Sequence, residues 1–265
     1  MGHRSLCAQG LAGAIVDYDD QMRVISVNVG LPREVTWRGT IVSTGIYKKP
    51  VGGRVALRKL NLDGDGQADL TVHGGEYKAV YCYPLEHYDY WKRELPDREL
   101  PLGVFGENFT IDYSRDGEGS PGEEGASEES GLPEARVHLG DRFQVGSAEV
   151  VVSQPRMPCY KLGIRFDSDD MVRRFLASGR TGFYVAITRE GEVGAGDEMK
   201  VLSRDKNGVS IAEIVRLYTA KTYSGADAAL VERASRVATF PESWKEYLEE
   251  RVGRNQNQGE AKSGS

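Results

Sequence analysis

This chain has little cysteine, little histidine and no long apolar run. Its three cysteines are Cys7, Cys82 and Cys159, and none forms a C-x-x-C pair. That excludes a disulfide framework and a cysteine-rich zinc site, and points to a reducing, cytoplasmic compartment. Clustered iron–sulfur cysteines are missing, as is a glycine-rich dinucleotide turn set between a strand and a helix. Near the N-terminus the apolar run "LAGAIV" is too short to span a bilayer, and no clear signal-peptide cleavage site follows it. Gly2 is followed by Leu6 where myristoylation prefers serine or threonine. Basic charge is not in excess either. The net charge is −6, against a broad nucleic-acid footprint. A small basic pocket for an anion remains open. Hydrophobic residues make up 39%, low for a chain packed throughout, so part of its length is expected to be solvated.

Many short strand signals are present. "RVISVNVG" (23–30) alternates apolar and polar residues, and "TWRGTIVSTGIYKKPV" (36–51) continues with short β-type runs. In "GRVALRKLNL" (53–62), Val55, Leu57 and Leu60 suggest a period near two. "KAVYCYP" (78–84) reads as a buried strand. "PLEHYDYWKREL" (84–95) reads as a helix with Pro84 in its first turn. "VFGENFTI", "ARVHLGDRFQVG", "AEVVVSQPR", "TGFYVAITREG" and "DEMKVLSR" add strands. "SDDMVRRFLASGR" reads as a helix capped by Ser168 and closed by Gly179. Regular βαβ alternation is absent, so a mixed β-barrel fits better than a doubly wound sheet.

The domain plan follows. Residues 1–22 are a flexible start, 23–206 the β-barrel, 208–252 three helices and 253–265 a disordered tail. The fold class is mainly β, followed by a small C-terminal three-helix bundle docked on the barrel. Its first helix carries a capping box, Ser210 with Glu213. Within the barrel, 114–133 holds six acidic residues, five glycines and no aromatic ring, and reads as a disordered acidic insertion.

Several constellations could carry chemistry. Asp63, Asp65 and Asp69 suggest a calcium loop, but its sixth and twelfth positions are Ala68 and Gly74 instead of Gly and Glu, so a glycine-rich turn is favoured. His73, before Gly74 and Gly75, is either a turn residue or an acid/base and substrate-orienting group. Asn108 caps a turn or bonds a ring edge. Lys48 and Lys49 are solvated or hold a phosphate. In "SQPRMPCYKLGIRF" (153–166), Pro155 and Pro158 stiffen the loop, and Arg156 and Lys161 flank Cys159. The thiol is then a packed side chain, a nucleophile, a sulfur carrier or a soft-metal ligand. A papain-like Cys–His–Asn set is disfavoured, because its local signature is absent and no helix is read as beginning at Cys159.

Taken together, "DGDGQADLTVHGGEYKAVYCYPLEHYDYW", "GVFGENFT", "VHLGDRFQVGSAEVVVSQPRMPCYKL" and "GFYVAI" resemble the MOSC family. These domains are related to the C-terminal domain of molybdenum-cofactor sulfurases, and the stand-alone YiiM-like type adds three C-terminal helices. The likeness spans roughly 23–252 and departs at the acidic insertion. It implies a β-barrel and a molybdenum cofactor (Mo-molybdopterin), with Cys159 as the metal ligand and catalytic thiol. It implies His73 as a second catalytic residue near the metal or pterin. Lys48, Asn108, Arg156 and Lys161 are the expected cofactor-binding residues. The implied activity is reduction of N-hydroxylated compounds such as hydroxylamino-purines, with electrons from a flavin or iron–sulfur reductase. The alternative is a sulfur or cofactor carrier acting through Cys159.

Overall fold

The computed structural model describes residues 22–69, 74–113 and 132–263, with backbone alone for 255–263. The chain opens with β1 (Met22–Val29), β2 (Arg33–Trp37), β3 (Thr40–Thr44), β4 (Lys49–Pro50), β5 (Val55–Arg58) and β6 (Asn61–Leu62). After β7 (Val80–Pro84) come α1 (Glu86–Glu94), β8 (Phe109–Asp112), β9 (Arg142–Val145) and β10 (Ala148–Pro155). Next are α2 (Tyr160–Phe166), α3 (Met171–Ala177), β11 (Phe183–Arg189), β12 (Gly191–Val193) and β13 (Glu198–Ser203). Three helices follow: α4 (Ile211–Thr219), α5 (Gly225–Ser235) and α6 (Glu242–Ser263).

The barrel closes as β13-β9-β10-β11-β7-β8-β1, with β1 returning to β13. Closure removes the open edges that a sheet of this length would expose. The β7–β8 pair is parallel and the other ring pairs are antiparallel, so the expected mixed barrel is what forms. A parallel neighbour cannot be reached by a tight hairpin. Here α1 and the chain from Leu95 to Asn108 make the crossover.

Burial explains the register. β7 is buried along its whole length, as its continuous apolar run requires. Val24, Val27, Phe109, Val150, Val152, Phe183 and Val185 fill the barrel interior. The same core continues without a break into the C-terminal helices through Ile211, Ile214, Leu217, Leu230, Ala234 and Leu248. Trp244 Nε1 donates to Gln154 Oε1 at 2.8 Å, and the Thr239 hydroxyl donates to the Val152 carbonyl at 3.1 Å. These helices therefore dock on the barrel. α4 begins at the expected capping box, with Glu213 N–H to Ser210 Oγ at 3.1 Å and Ser210 N–H to Glu213 Oε2 at 2.7 Å. A second core, of Tyr83, Tyr88, Trp91, Phe105, Phe166 and Phe175, packs α1 and α3 against the outer side of β7.

Some local expectations shift. Pro84 ends β7 instead of opening α1, whose N-cap is Leu85. Leu60 turns outward, 52% exposed, because Lys59 and Leu60 make the turn between β5 and β6; Leu62 takes the core position. Asp170, not Ser168, caps α3. Asp167 sits in the left-handed region (φ 44°), and the Ser168 N–H closes α2 by bonding the Gly163 carbonyl at 3.0 Å. Gly179 does end α3, at φ 67°. The last helix runs on to Ser263, through the stretch read as a tail. The acidic insertion ends before Leu132, which is buried and leads into a 3-10 turn at Pro133–Ala135. Residues 1–21 and 114–131, with their expected flexible start and disorder, lie outside the described residues, as do Cys7 and His73. Among the described residues no helix is long and apolar enough to cross a membrane.

Candidate functional site

A cleft of about 100 Å³ opens at the end of the barrel where β1 finishes and β8 starts. Its walls come from the Thr44–Lys48 and Asp65–Ala68 segments, from Lys78 and Tyr81 at the head of β7, from Asn108, and from Arg156–Lys161. Gly45 is required where two walls meet, because a Cβ there would lie 2.4 Å from the Gly66 carbonyl oxygen. β10 shifts register between Val152 and Gln154, just before the chain leaves for the cleft. Such bulges re-aim the residues that follow.

A helix does begin at Cys159, which is the N-cap of α2. This corrects the reading that none starts there. The helix was hidden because it is short and carries Gly163 in its middle. That glycine is needed because a Cβ would meet the Ser168 carbonyl at 2.9 Å. Cys159 is half-buried at the cleft wall. Cys82 is wholly buried in β7, where desolvation pushes its thiol well above the usual range, so it is inert packing.

Five of the six expected site residues line this one cleft: Lys48, Asn108, Arg156, Cys159 and Lys161. The geometry divides them. Arg156 is only 5% exposed, and its guanidinium lies 5.3 Å from the Tyr81 ring centre and 4.9 Å from that of Phe175. Its Nη2 donates weakly to the Phe105 carbonyl at 3.4 Å, and its buried Nη1 has no partner. Lys161 is 8% exposed, and among the described residues its ammonium has no hydrogen bond or ion pair. A buried guanidinium nitrogen left unbonded, as Arg156 Nη1 is, is costly unless an acceptor arrives.

Lys48 and Asn108 are engaged by the protein. Lys48 Nζ forms a buried ion pair with Asp65. Burial lowers the Lys48 pKa, and Asp65 opposes that shift. Asp65 Oδ1 also accepts the Gly30 N–H at 2.9 Å, and its Oδ2 accepts Asn108 Nδ2 at 2.9 Å. Asn108 Oδ1 in turn accepts the Tyr81 N–H at 3.1 Å. Asn108 therefore positions Asp65 and the start of β7, leaving its amide little to offer a ligand. The same engagement removes the Asn a papain-like set would need. Asp65 is the centre of this network. Among the described residues no group of three His, Cys, Asp or Glu could hold a metal ion.

The residue reading missed Lys78 and Tyr184. Burial lowers the Lys78 pKa, and the nearby Cys159 sulfur acts in the opposite sense. Burial raises the Tyr184 hydroxyl pKa, while Arg156 opposes the shift and Cys159 adds to it. A lone lysine ahead of a buried strand looks like a solvated side chain, so no sequence signal marked it. Lys78, Arg156, Lys161 and the Asp65-paired Lys48 make the cleft strongly cationic in a chain of net charge −6.

The MOSC domain profile matches residues 69–200 of this closed mixed barrel. The chain belongs to the MOSC domain family, and within it to the YiiM type. It is 37% identical over 228 residues to Bacillus subtilis YflK, an uncharacterized protein, covering 85% of this chain and 92% of the relative. The crystal structure of YiiM from Geobacillus stearothermophilus superposes with a TM-score of 0.65 at 30% identity, covering 87% of this chain and 99% of that one. A Gibberella moniliformis protein named "Reductase" is 27% identical over 189 residues, 70% of this chain and 30% of its own length.

Proposed function

We propose that the cleft binds the molybdenum cofactor, with the Cys159 thiolate as protein ligand to the metal, and that the protein reduces N-hydroxylated compounds in the cytoplasm. The observation that carries this reading is the convergence of Cys159 with the unpartnered Nη1 of buried Arg156 in one cationic cleft. An anionic pterin phosphate and dithiolene match those cations, and a thiolate suits a soft metal. The lack of a His/Asp/Glu metal set among the described residues agrees with a metal carried in by a cofactor.

Arg156, Lys161 and Lys78 would hold the anionic cofactor, and Asp65 with Asn108 would fix Lys48 at the wall. When bound, the cofactor supplies two-electron redox chemistry at its metal. Reduction of an N-hydroxyl to an amine and water consumes two electrons and two protons. The half-buried cleft limits water at the reacting centre, and Lys48, already lowered by burial, is a proton source on its wall. Electrons come from a separate flavin or iron–sulfur reductase. The "Reductase" name of one relative agrees with this class.

The experiment is metal analysis and turnover on protein made in a cofactor-competent host. Stoichiometric molybdenum and hydroxylamine reduction are expected, both lost in Cys159→Ser. A persulfide on Cys159 without molybdenum would sink the reductase reading and leave a sulfur carrier.

A further inference from the structure

Beside the cleft, two arginines lie within cation–π reach of the Tyr47 ring. The Arg33 guanidinium is 3.7 Å from the ring centre and that of Arg165 is 5.1 Å away. Among the described residues neither arginine forms an ion pair, and the buried Nε of Arg165 has no hydrogen-bond partner. Two like charges on one ring repel each other, and burial lowers the Arg165 pKa, with Arg33 adding to the shift. Glu107 offsets this from a distance. Its oxygens are already taken by the Gly103 and Phe105 N–H groups, Tyr88 and the Thr110 hydroxyl. Among the described residues, therefore, no carboxylate pairs directly with either positive charge.

Its place ties it to the cleft. Tyr47 lies between Ile46 and Lys48, which both line the cleft. Arg165 follows Lys161 by four residues on α2, so the two side chains share one helix face. Along that helix Arg165 is about 9 Å from Cys159, at ~1.5 Å per residue. Pro32, the neighbour of Arg33, packs close to the lining residue Gly66, where a Cβ would lie 2.8 Å from its Cδ.

We propose that Arg33, Tyr47 and Arg165 form a phosphomonoester subsite at the outer end of the cleft. A phosphate dianion matches the two charges, and planar guanidinium forks suit its oxygens. The inference rests on the reductase reading for what occupies the inner cleft. It extends that reading by making the substrate a nucleotide, with its base toward Cys159 and its phosphate at the two guanidinium groups. The pterin phosphate is the other source of the same chemistry.

The test begins with cofactor-free protein, titrated calorimetrically with 5′-adenosine monophosphate and with adenosine. Monophosphate is expected to bind at least tenfold more tightly. Arg33→Gln and Arg165→Gln each bring that ratio close to one, whereas Cys159→Ser leaves it unchanged. Arg33 is exposed, so its variant keeps the fold even if Arg165→Gln does not. If the occupant is instead the cofactor's phosphate, the monophosphate preference is absent and molybdenum content falls several-fold in Arg33→Gln made in a competent host. The subsite is overturned if monophosphate and adenosine bind alike and both variants retain full molybdenum. The titration needs neither metal nor turnover, so failure of the reductase reading would leave its result standing.

Discussion

Asp65→Asn tests the network under the cleft most directly. Asp65 receives three donors at once: Lys48 Nζ, the Gly30 N–H at 2.9 Å and Asn108 Nδ2 at 2.9 Å. Its side chain is 1% exposed and that of Lys48 9%, so water replaces none of these contacts readily. Asparagine offers one acceptor oxygen, and its own NH₂ must face a donor. The substitution leaves the Lys48 charge uncompensated. Breaking a buried pair from one side costs about 3–5 kcal/mol, a large part of the ~5–15 kcal/mol that holds a domain folded. Adding Lys48→Met removes the stranded charge and is expected to restore much of the loss, because an apolar replacement of the whole pair is often neutral. Guanidinium unfolding followed by tryptophan fluorescence measures this, with buried Trp91 as reporter. The pH dependence has a definite sign. The folded-state pKa of Lys48 lies below its ordinary value, so the unfolded chain binds more protons between the two. Stability from this group rises with pH across that interval and is constant below it. Without Asp65 the folded value drops further, so the Asp65→Asn deficit is expected to shrink as pH rises toward the ordinary lysine pKa. A deficit below about 1 kcal/mol, unchanged by Lys48→Met, would refute the reasoning.

Two other perturbations probe the supports of the site. Glu134 is buried and accepts His87 Nε2 at 2.8 Å and the Gly182 N–H at 2.7 Å. Burial raises its pKa, but these partners outweigh that and hold the carboxyl below its usual value. Its contribution is present above an unfolded pKa of about 4.3 and is lost as pH falls through the folded value. Glu134→Gln is therefore expected to cost ~3 kcal/mol at pH 7 and progressively less in acid; a deficit that grows in thermal melts toward low pH would contradict this. Gly45→Ala places a methyl against the Gly66 carbonyl and should cost about 1–3 kcal/mol. Molybdenum retention should fall with it, and unchanged retention would mean that this wall does not shape the binding space.

Where side-chain periodicity was strong, the chain could be read directly. β7, β10 and β11 are runs whose burial the residues announce, and the Ser210–Glu213 box marks the start of α4 without ambiguity. The closing β1–β13 pair is different. It joins residues far apart in the chain, and no local pattern encodes which edges meet. α2 escaped notice because Gly163 weakens the helical signal, and the reason for that glycine is a carbonyl supplied by the next turn of chain. At the site, Cys159 and Arg156 were legible because proline and charge crowd around them. Lys78 was not, since only the fold brings it to the sulfur. Asp65 was read as part of a glycine-rich turn, and its ion pair was not foreseen. Its glycine neighbours resembled a cation loop, while its partner Lys48 stands seventeen positions away.

The cleft sits where β8 begins, at Asn108, and the acidic insertion departs after Tyr113, at that strand's other end. At ~3.3 Å per residue these points are about 16 Å apart. The candidate cleft and Tyr113, the last described residue before 114–131, thus lie at opposite ends of β8. Buried Tyr113 and Leu132 anchor that stretch on both sides. An affinity handle, a fluorophore or a tether to an electrode joined after Tyr113 therefore starts from the end of β8 away from the cleft mouth.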